Sequence, residues 1–226
     1  SKIYWSLTES AIYGNNNQLM LSEIDIQKGL EKHLQSSVKK QMISDVPIGA
    51  FLSGGIDSST VVALMQSQSN HPIKTFTIGF SEEDYSEAKY AKKIAKHLGT
   101  DHTELYVSSK MAMEIIPKLP SIYDEPFSDS SQIPTYLVSQ LAKQYVKVSL
   151  SGDGGDELFC GYNRHIMSKK FSNIFRLMPL FFRKILSNRL ELISTKNWDR
   201  LSNLSPFLDQ YSNFGDKMHK VVNVLK

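Results

Sequence analysis

An α/β fold built on a doubly wound parallel sheet, with a helical C-terminal appendage, is what this sequence predicts. Three observations carry that expectation. Two short apolar runs each end in a glycine-rich turn that opens a helical pattern, at Ser53-Gly54-Gly55-Ile56-Asp57-Ser58-Ser59 and at Ser151-Gly152-Asp153-Gly154-Gly155-Asp156-Glu157. Between them, strand-length apolar runs alternate with stretches of helical period, the pattern of a parallel sheet covered on both faces. Beyond Phe159 only amphipathic helical patterns remain.

Residues 1–22 mix Tyr4 and Trp5 with the loop signature Gly14-Asn15-Asn16-Asn17 and show no steady period, which predicts a linker. Ser22 can cap a helix whose apolar positions Ile26, Leu30, Leu34, Val38 and Met42 recur every four residues, a stripe expected to pack on the sheet. Val46 to Leu52 has the length of a strand buried on both faces. Ser58 and Ser59 are expected as N-cap residues of the helix that follows, with Val61, Val62, Leu64 and Met65 at helical spacing. Ile73 to Phe80 reads as the second strand. Tyr85 to Leu98 sets Ala88, Ala91, Ile94, Ala95 and Leu98 on one helical face and ends at Gly99, a C-terminal glycine. His102 to Val107 is the third strand, Met111 to Leu119 a helix stopped by Pro117 and Pro120, Ile133 to Lys143 a further helix, and Tyr145 to Leu150 the fourth strand. Phe171 to Leu186 predicts one or two helices broken near Pro179, and Trp198 to Leu208 and Tyr211 to Leu225 two more.

The first glycine turn carries the chemistry. Glycine admits positive φ and close backbone approach to a ligand, and the N–H groups of the helical turn that follows favour an anion. Phosphate fits. Ser53, Ser58 and Ser59 add hydroxyl donors, whereas Asp57 would repel a bare phosphate unless a cation lies between, which argues for a magnesium-bound phosphate. No lysine follows the glycines, so the string is not a GxxxxGK[ST] loop, and GxGxxG is absent. The second turn sets three acids among three glycines. Clustered carboxylates are costly unless paired or metal-bound, so they call for cations or a developing positive charge. The calcium-loop spacing D-x-[DN]-x-[DN]-G with a distant glutamate is not present. Both turns fall at carboxyl ends of strands, where ligands bind in such sheets. The acidic stretch Tyr123 to Ser131 reads either as a solvated loop or as a place to hold magnesium or recognise a substrate amine.

Composition adds exclusions. A chain of 226 residues suits one domain, or one domain with an appendage, and 41% hydrophobic with 22% charged residues is ordinary for a globular protein. The net charge of +3 gives no reason to invoke nucleic acid, and the basic residues from Arg164 to Arg200 read as a solvated or partner-facing helical surface. The single cysteine, Cys160, excludes an intrachain disulfide, suits a reducing compartment and reads as a small buried residue. Six histidines and that cysteine show no zinc spacing. No apolar run reaches the length of a membrane span and no secretory pattern opens the chain, so no membrane partner and a cytoplasmic location are expected.

The S-G-G-x-D-S-S string resembles the pyrophosphate (PP) loop of the N-type ATP pyrophosphatases, enzymes that split ATP between its α and β phosphates. Four ordered strings, SDVPIGAFLSGGIDSS from Ser44, TFTIGF from Thr75, YDEPFSDSSQIPTYLVS from Tyr123 and LSGDGGDELFCGY from Leu150, resemble the synthetase domain of bacterial-type glutamine-hydrolysing asparagine synthetases over roughly residues 4 to 170. The resemblance implies the adenine nucleotide alpha hydrolase-like fold and a two-site enzyme. An N-terminal glutaminase domain hydrolyses glutamine, and ammonia passes internally to the synthetase domain. There the aspartate side chain attacks the α-phosphate of ATP, giving β-aspartyl-AMP and pyrophosphate, and ammonia displaces AMP. By the same resemblance, Ser53, Gly54, Gly55, Asp57, Ser58 and Ser59 would hold pyrophosphate and its magnesium. Leu52 and Ile78 would contact the nucleoside, and Ser151 and Gly152 the AMP portion. Asp153 and Asp156 would serve magnesium or the substrate ammonium, with Asp57 and Asp156 as the metal ligands, and Tyr162 would lie near the reacting centre.

The expected organisation is a linker over 1–22 from a missing glutaminase domain, an ATP-pyrophosphatase synthetase domain over 23–170, and a helical segment over 171–226 that starts an incomplete C-terminal part. A homodimer is among the assemblies the family allows. The lysine that stabilises the transition state in the family has no match in this chain, and residue 153 is aspartate where some relatives carry glutamate. Weak nucleotide binding without turnover is therefore expected of the chain alone. Amide-forming relatives acting on another carboxylate, such as β-lactam synthetases and enzymes of polysaccharide pathways, share the motifs, and a non-catalytic nucleotide-binding module is the reading from another class.

Overall fold

A computed structural model describes residues 3–80, 87–126, 129–159, 161–162, 178–202 and 214–225. The chain divides into two compact units, Ser1–Gly155 and Asp156–Lys226.

The first unit is the predicted parallel sheet. Its strands are β1 (Ile48–Phe51), β2 (Lys74–Phe80), β3 (Asp101–Val107) and β4 (Val148–Leu150), all parallel, in the order β3-β2-β1-β4. The connecting helices are α1 (Leu7–Asn16), α2 (Glu23–Gln41), α3 (Ile56–Ser67), α4 (Ala88–Leu98), α5 (Ser109–Met113), α6 (Leu119–Ile122) and α7 (Gln132–Ala142). Pleating sends successive side chains to opposite faces. On one face Ala50 and Leu52 pack with Val38 of α2, Val62 and Met65 of α3, and Ala91 and Ala95 of α4. On the other, Phe76 packs with Leu141, Ala142 and Val146, and Val107 with Ile115 and Leu137. Both faces are therefore covered, as the continuous apolar runs of β1 and β2 require.

Sequence and structure part company at several elements. The stretch expected as an aperiodic linker contains α1, whose Ser6 side chain accepts from the Glu9 N–H at 3.3 Å. That capping bond supports the helix although none of its residues is buried. Helix α2 starts at the predicted cap, Ser22, but only Val38 of its stripe is buried, and Ile26 and Leu30 stay exposed. The proline-rich stretch does not form one stopped helix. It breaks into α5, a 3-10 turn at Ile116–Lys118 and α6, with Pro117 and Pro120 in the opening positions of the latter two, where a missing N–H costs nothing. Strand β4 starts at Val148 instead of Tyr145, because Lys143 to Tyr145 turn and Val146 fills the core.

In the second unit, α8 (Gly155–Phe159, opening on the boundary residue), α9 (Leu180–Glu191), α10 (Thr195–Ser202) and α11 (Phe214–Leu225) are helical as predicted. Pro179 caps α9, matching the expected break, and Trp198 packs edge-on against Phe214 at 6.3 Å. The rest of the helix expected from Phe171, Cys160, Tyr85 and the stretch through Leu208 lie outside the described residues. Among the described residues no helix is long and apolar enough to cross a membrane.

Candidate functional site

Strand order puts the site where the connections diverge. From β1 the chain proceeds outward to β2 and β3 and returns to β4 on the other side, so β1 and β4 flank the switch point. The first glycine turn leaves β1 and the second leaves β4.

Gly54 has φ 87°, and a Cβ there would sit 2.9 Å from the Ala91 N and the Tyr90 Cβ of α4. Only glycine fits comfortably. Contrary to the expectation that Ser58 and Ser59 cap the helix, Gly55 is the N-cap and both serines lie in the first turns of α3. Their hydroxyls turn back to donate to the Gly55 carbonyl, Ser59 Oγ at 2.6 Å and Ser58 Oγ at 3.3 Å. The Ser53 N–H donates to Ser58 Oγ at 3.2 Å, the Ser53 and Ser58 hydroxyls meet at 2.9 Å, and the Gly55 N–H donates to Ser53 Oγ at 3.3 Å. A glycine cap supplies no side-chain acceptor, which leaves the start of α3 chemically suited to an anion.

The second turn is folded on itself and laid against the first. Ser151 Oγ donates to Asp153 Oδ2 at 2.9 Å and accepts from the Asp153 N–H at 3.4 Å, while Gly154 takes φ 89°. A Cβ on Gly152 would lie 2.6 Å from the Ser58 N and 2.8 Å from the Asp57 carbonyl carbon. One on Gly155 would lie 2.5 Å from the Asp57 carboxylate. Gly152 is thus what lets two backbones touch, and Gly155 what leaves room for the Asp57 carboxylate.

Beside the turns, at the carboxyl ends of β1 and β2, lies a cavity of about 360 Å³. Leu52 and Ile78, expected at the nucleoside, and Ser53, expected at the pyrophosphate, all line it, under Pro134, Thr135 and Val138 of α7. Thr77, Phe80, Thr135 and Glu87 also line it and were not anticipated. Thr77 and Phe80 enter only through the second strand and its TFTIGF string, and Glu87 only as one residue of the helix expected over Tyr85 to Leu98.

The first unit brings together Leu52, Ser53, Gly54, Gly55, Asp57, Ser58, Ser59, Ile78, Ser151, Gly152 and Asp153 around the ends of β1, β2 and β4. Asp156 and Tyr162 belong to the second unit. There Asp156 is half-buried in α8, its carbonyl accepting from the Gly161 N–H at 3.2 Å, and the Tyr162 hydroxyl donates to Glu157 Oε1. Glu157 is an unanticipated partner visible in the sequence only as one more acid of the second turn. In the acidic stretch, the Ser131 N–H donates to Asp129 Oδ1 at 2.8 Å and holds that carboxyl below its ordinary range. Phe127 and Ser128 lie outside the described residues.

No group of three or more His, Cys, Asp or Glu side chains is gathered for a metal among the described residues. A magnesium ion held with a nucleotide needs only one or two carboxylates, the rest coming from phosphate and water. The half-buried Asp57, at the mouth of a glycine turn open to an anion, fits that demand.

Residues 29–225 match the family model of asparagine synthase. A putative glutamine-hydrolysing asparagine synthetase of Methanocaldococcus jannaschii is 43% identical over 183 residues, 80% of this chain and 34% of that protein. Glutamine-hydrolysing asparagine synthetase 1 of Bacillus subtilis is 41% identical over 150 residues, 66% of this chain and 23% of that protein. The human glutamine-hydrolysing asparagine synthetase is 32% identical over 165 residues, 67% of this chain and 29% of that protein. The chain thus spans about a third or less of the length of these curated relatives.

Proposed function

This chain belongs to the asparagine synthase family, and from that premise we propose that it is the ATP-binding synthetase part of a glutamine-dependent carbon–nitrogen ligase that activates the side-chain carboxylate of aspartate. The reaction has two stages. The carboxylate attacks the α-phosphorus of ATP, releasing pyrophosphate, and ammonia drawn from glutamine then attacks the acyl carbon of β-aspartyl-AMP and expels AMP. Phosphoryl-group chemistry of this kind depends on positioning and on neutralising charge more than on covalent help from the protein.

The contact between the two glycine turns at the switch point carries the reading. Ser53, Ser58, Ser59 and the start of α3 would bind the departing pyrophosphate, through hydroxyls and main-chain N–H groups that neutralise charge as it forms. Leu52 and Ile78 would wall the base in the cavity beside them. Ser151 and Gly152 would meet the AMP portion. Asp57 would hold magnesium, which when bound supplies positive charge to the phosphates. Asp153 would orient magnesium or the substrate ammonium. The glutaminase domain and aspartate are the partners this reading requires, and a cytoplasmic setting with free ATP suits it.

Calorimetric titration of the chain with magnesium pyrophosphate and with ATP, beside an Asp57→Asn variant, tests the site. Both ligands are expected to bind the parent, and pyrophosphate to lose at least tenfold in affinity in the variant. A folded parent that binds neither would refute the assignment.

A further inference from the structure

We infer that Thr77, a strand residue with no assigned role, is a positioning residue for the phosphate loop, acting through a single peptide unit. The inference rests on the pyrophosphate reading above. The last ladder pair between β1 and β2 is Phe51 with Phe76, and the Leu52 N–H still donates to the Phe76 carbonyl at 3.0 Å. Leu52 is therefore the residue at which the chain leaves the sheet. Its carbonyl accepts from the Thr77 hydroxyl, on a side chain buried to 3% exposure. On the other side of the same peptide bond, the Ser53 N–H donates to Ser58 Oγ.

The Leu52–Ser53 peptide plane is thus held at both ends, by β2 through Thr77 and by α3 through Ser58. Its orientation sets the direction in which Ser53 projects its hydroxyl and in which the chain enters Gly54 at φ 87°. A peptide plane is rigid and its flanking torsions are soft, so two opposed hydrogen bonds are an efficient way to fix where a loop begins. Without the Thr77 hydroxyl, the Leu52 carbonyl would be left unpaired beneath the loop, and reorienting the plane to satisfy it would drag Ser53 out of register with Ser58. Valine fills nearly the same space as threonine but cannot make the bond. Serine can.

The test compares Thr77→Val and Thr77→Ser in the 226-residue chain, titrated with magnesium pyrophosphate and with adenosine and checked for folding by thermal melting. Thr77→Val is expected to lose about tenfold in pyrophosphate affinity, the scale of one hydrogen bond, with a smaller change for adenosine, and Thr77→Ser to stay close to the parent. A general loss of structure would instead weaken both ligands in both variants and lower both melting temperatures. If Thr77→Val fails to fold, Thr77→Ala against Thr77→Ser gives the same contrast. Parent-like pyrophosphate binding in Thr77→Val, or an equal loss in Thr77→Ser, overturns the inference alone. A parent that binds no pyrophosphate removes the reading beneath it as well.

Discussion

A methyl group added at residue 155 would meet the Asp57 carboxylate, and one added at residue 152 would meet the backbone of Asp57 and Ser58. The two insults differ in kind. A side-chain carboxylate can swing away, whereas a helix backbone cannot move without taking α3 with it. Gly155→Ala is therefore expected to leave stability within about 1 kcal/mol of the parent while weakening magnesium-dependent ligand binding, because it displaces the acid. Gly152→Ala is expected to cost about 1–3 kcal/mol in denaturant unfolding and to impair ATP and pyrophosphate together. Equal stability losses in the two variants would show that the turns do not touch as described. The motif was legible at this scale, since serines, glycines and Asp57 were all singled out from the string. The direction of the hydroxyls was not. Serine in the first turn of a helix and serine at its cap look alike in sequence, and only the main-chain conformation of Gly55 decides between them.

Among the elements, the strands and the longer helices were legible because burial on both faces leaves an unbroken apolar run and burial on one face leaves a period. Helix α1 was not, because a helix that buries nothing has no period to read. The short turns around Pro117 and Pro120 escaped for a related reason, since proline both ends a helix and opens one. Helix α4 shows a signal that transferred directly. Gly99 takes φ 73° and its N–H closes the helix on the Ala95 carbonyl. No atom lies within 4 Å of where a Cβ would stand, so the cost of Gly99→Ala is conformational alone. It is expected to destabilise the chain by about 1–2 kcal/mol with no change in ligand affinity, measured by paired unfolding and titration experiments. A neutral result would mean that α4 ends differently in solution.

For the molecule as a whole, acid stability follows from a cluster on the outer strand. His102, its side chain 8% exposed, shares a hydrogen bond with Thr75 Oγ1 at 2.9 Å and has Glu104 at 3.9 Å. Burial lowers its pKa below the ordinary 6.5, only partly offset by Glu104 and further opposed by Lys92. The unfolded chain then binds that proton more readily, so this contribution to stability is whole above pH 6.5 and declines below it. Glu104 acts lower down. Burial would raise its pKa, but bonds from Lys92 and Tyr106 outweigh that and hold it below the ordinary 4.5, so its contribution survives above that pH and is lost beneath it. The melting temperature is therefore expected to fall on acidification below pH 6.5, less steeply in His102→Gln. Equal slopes in parent and variant would remove His102 as a source. The order of the sheet also has a consequence in time. Ala50 pairs with Thr75 on one side and with Leu150 on the other. At about 5–20 residues per second of synthesis, the second neighbour follows β1 by roughly 5–20 s. For that interval one flank of the central strand has no mate and the second glycine turn is not yet laid against the first, so a nascent chain carries an open, adhesive edge.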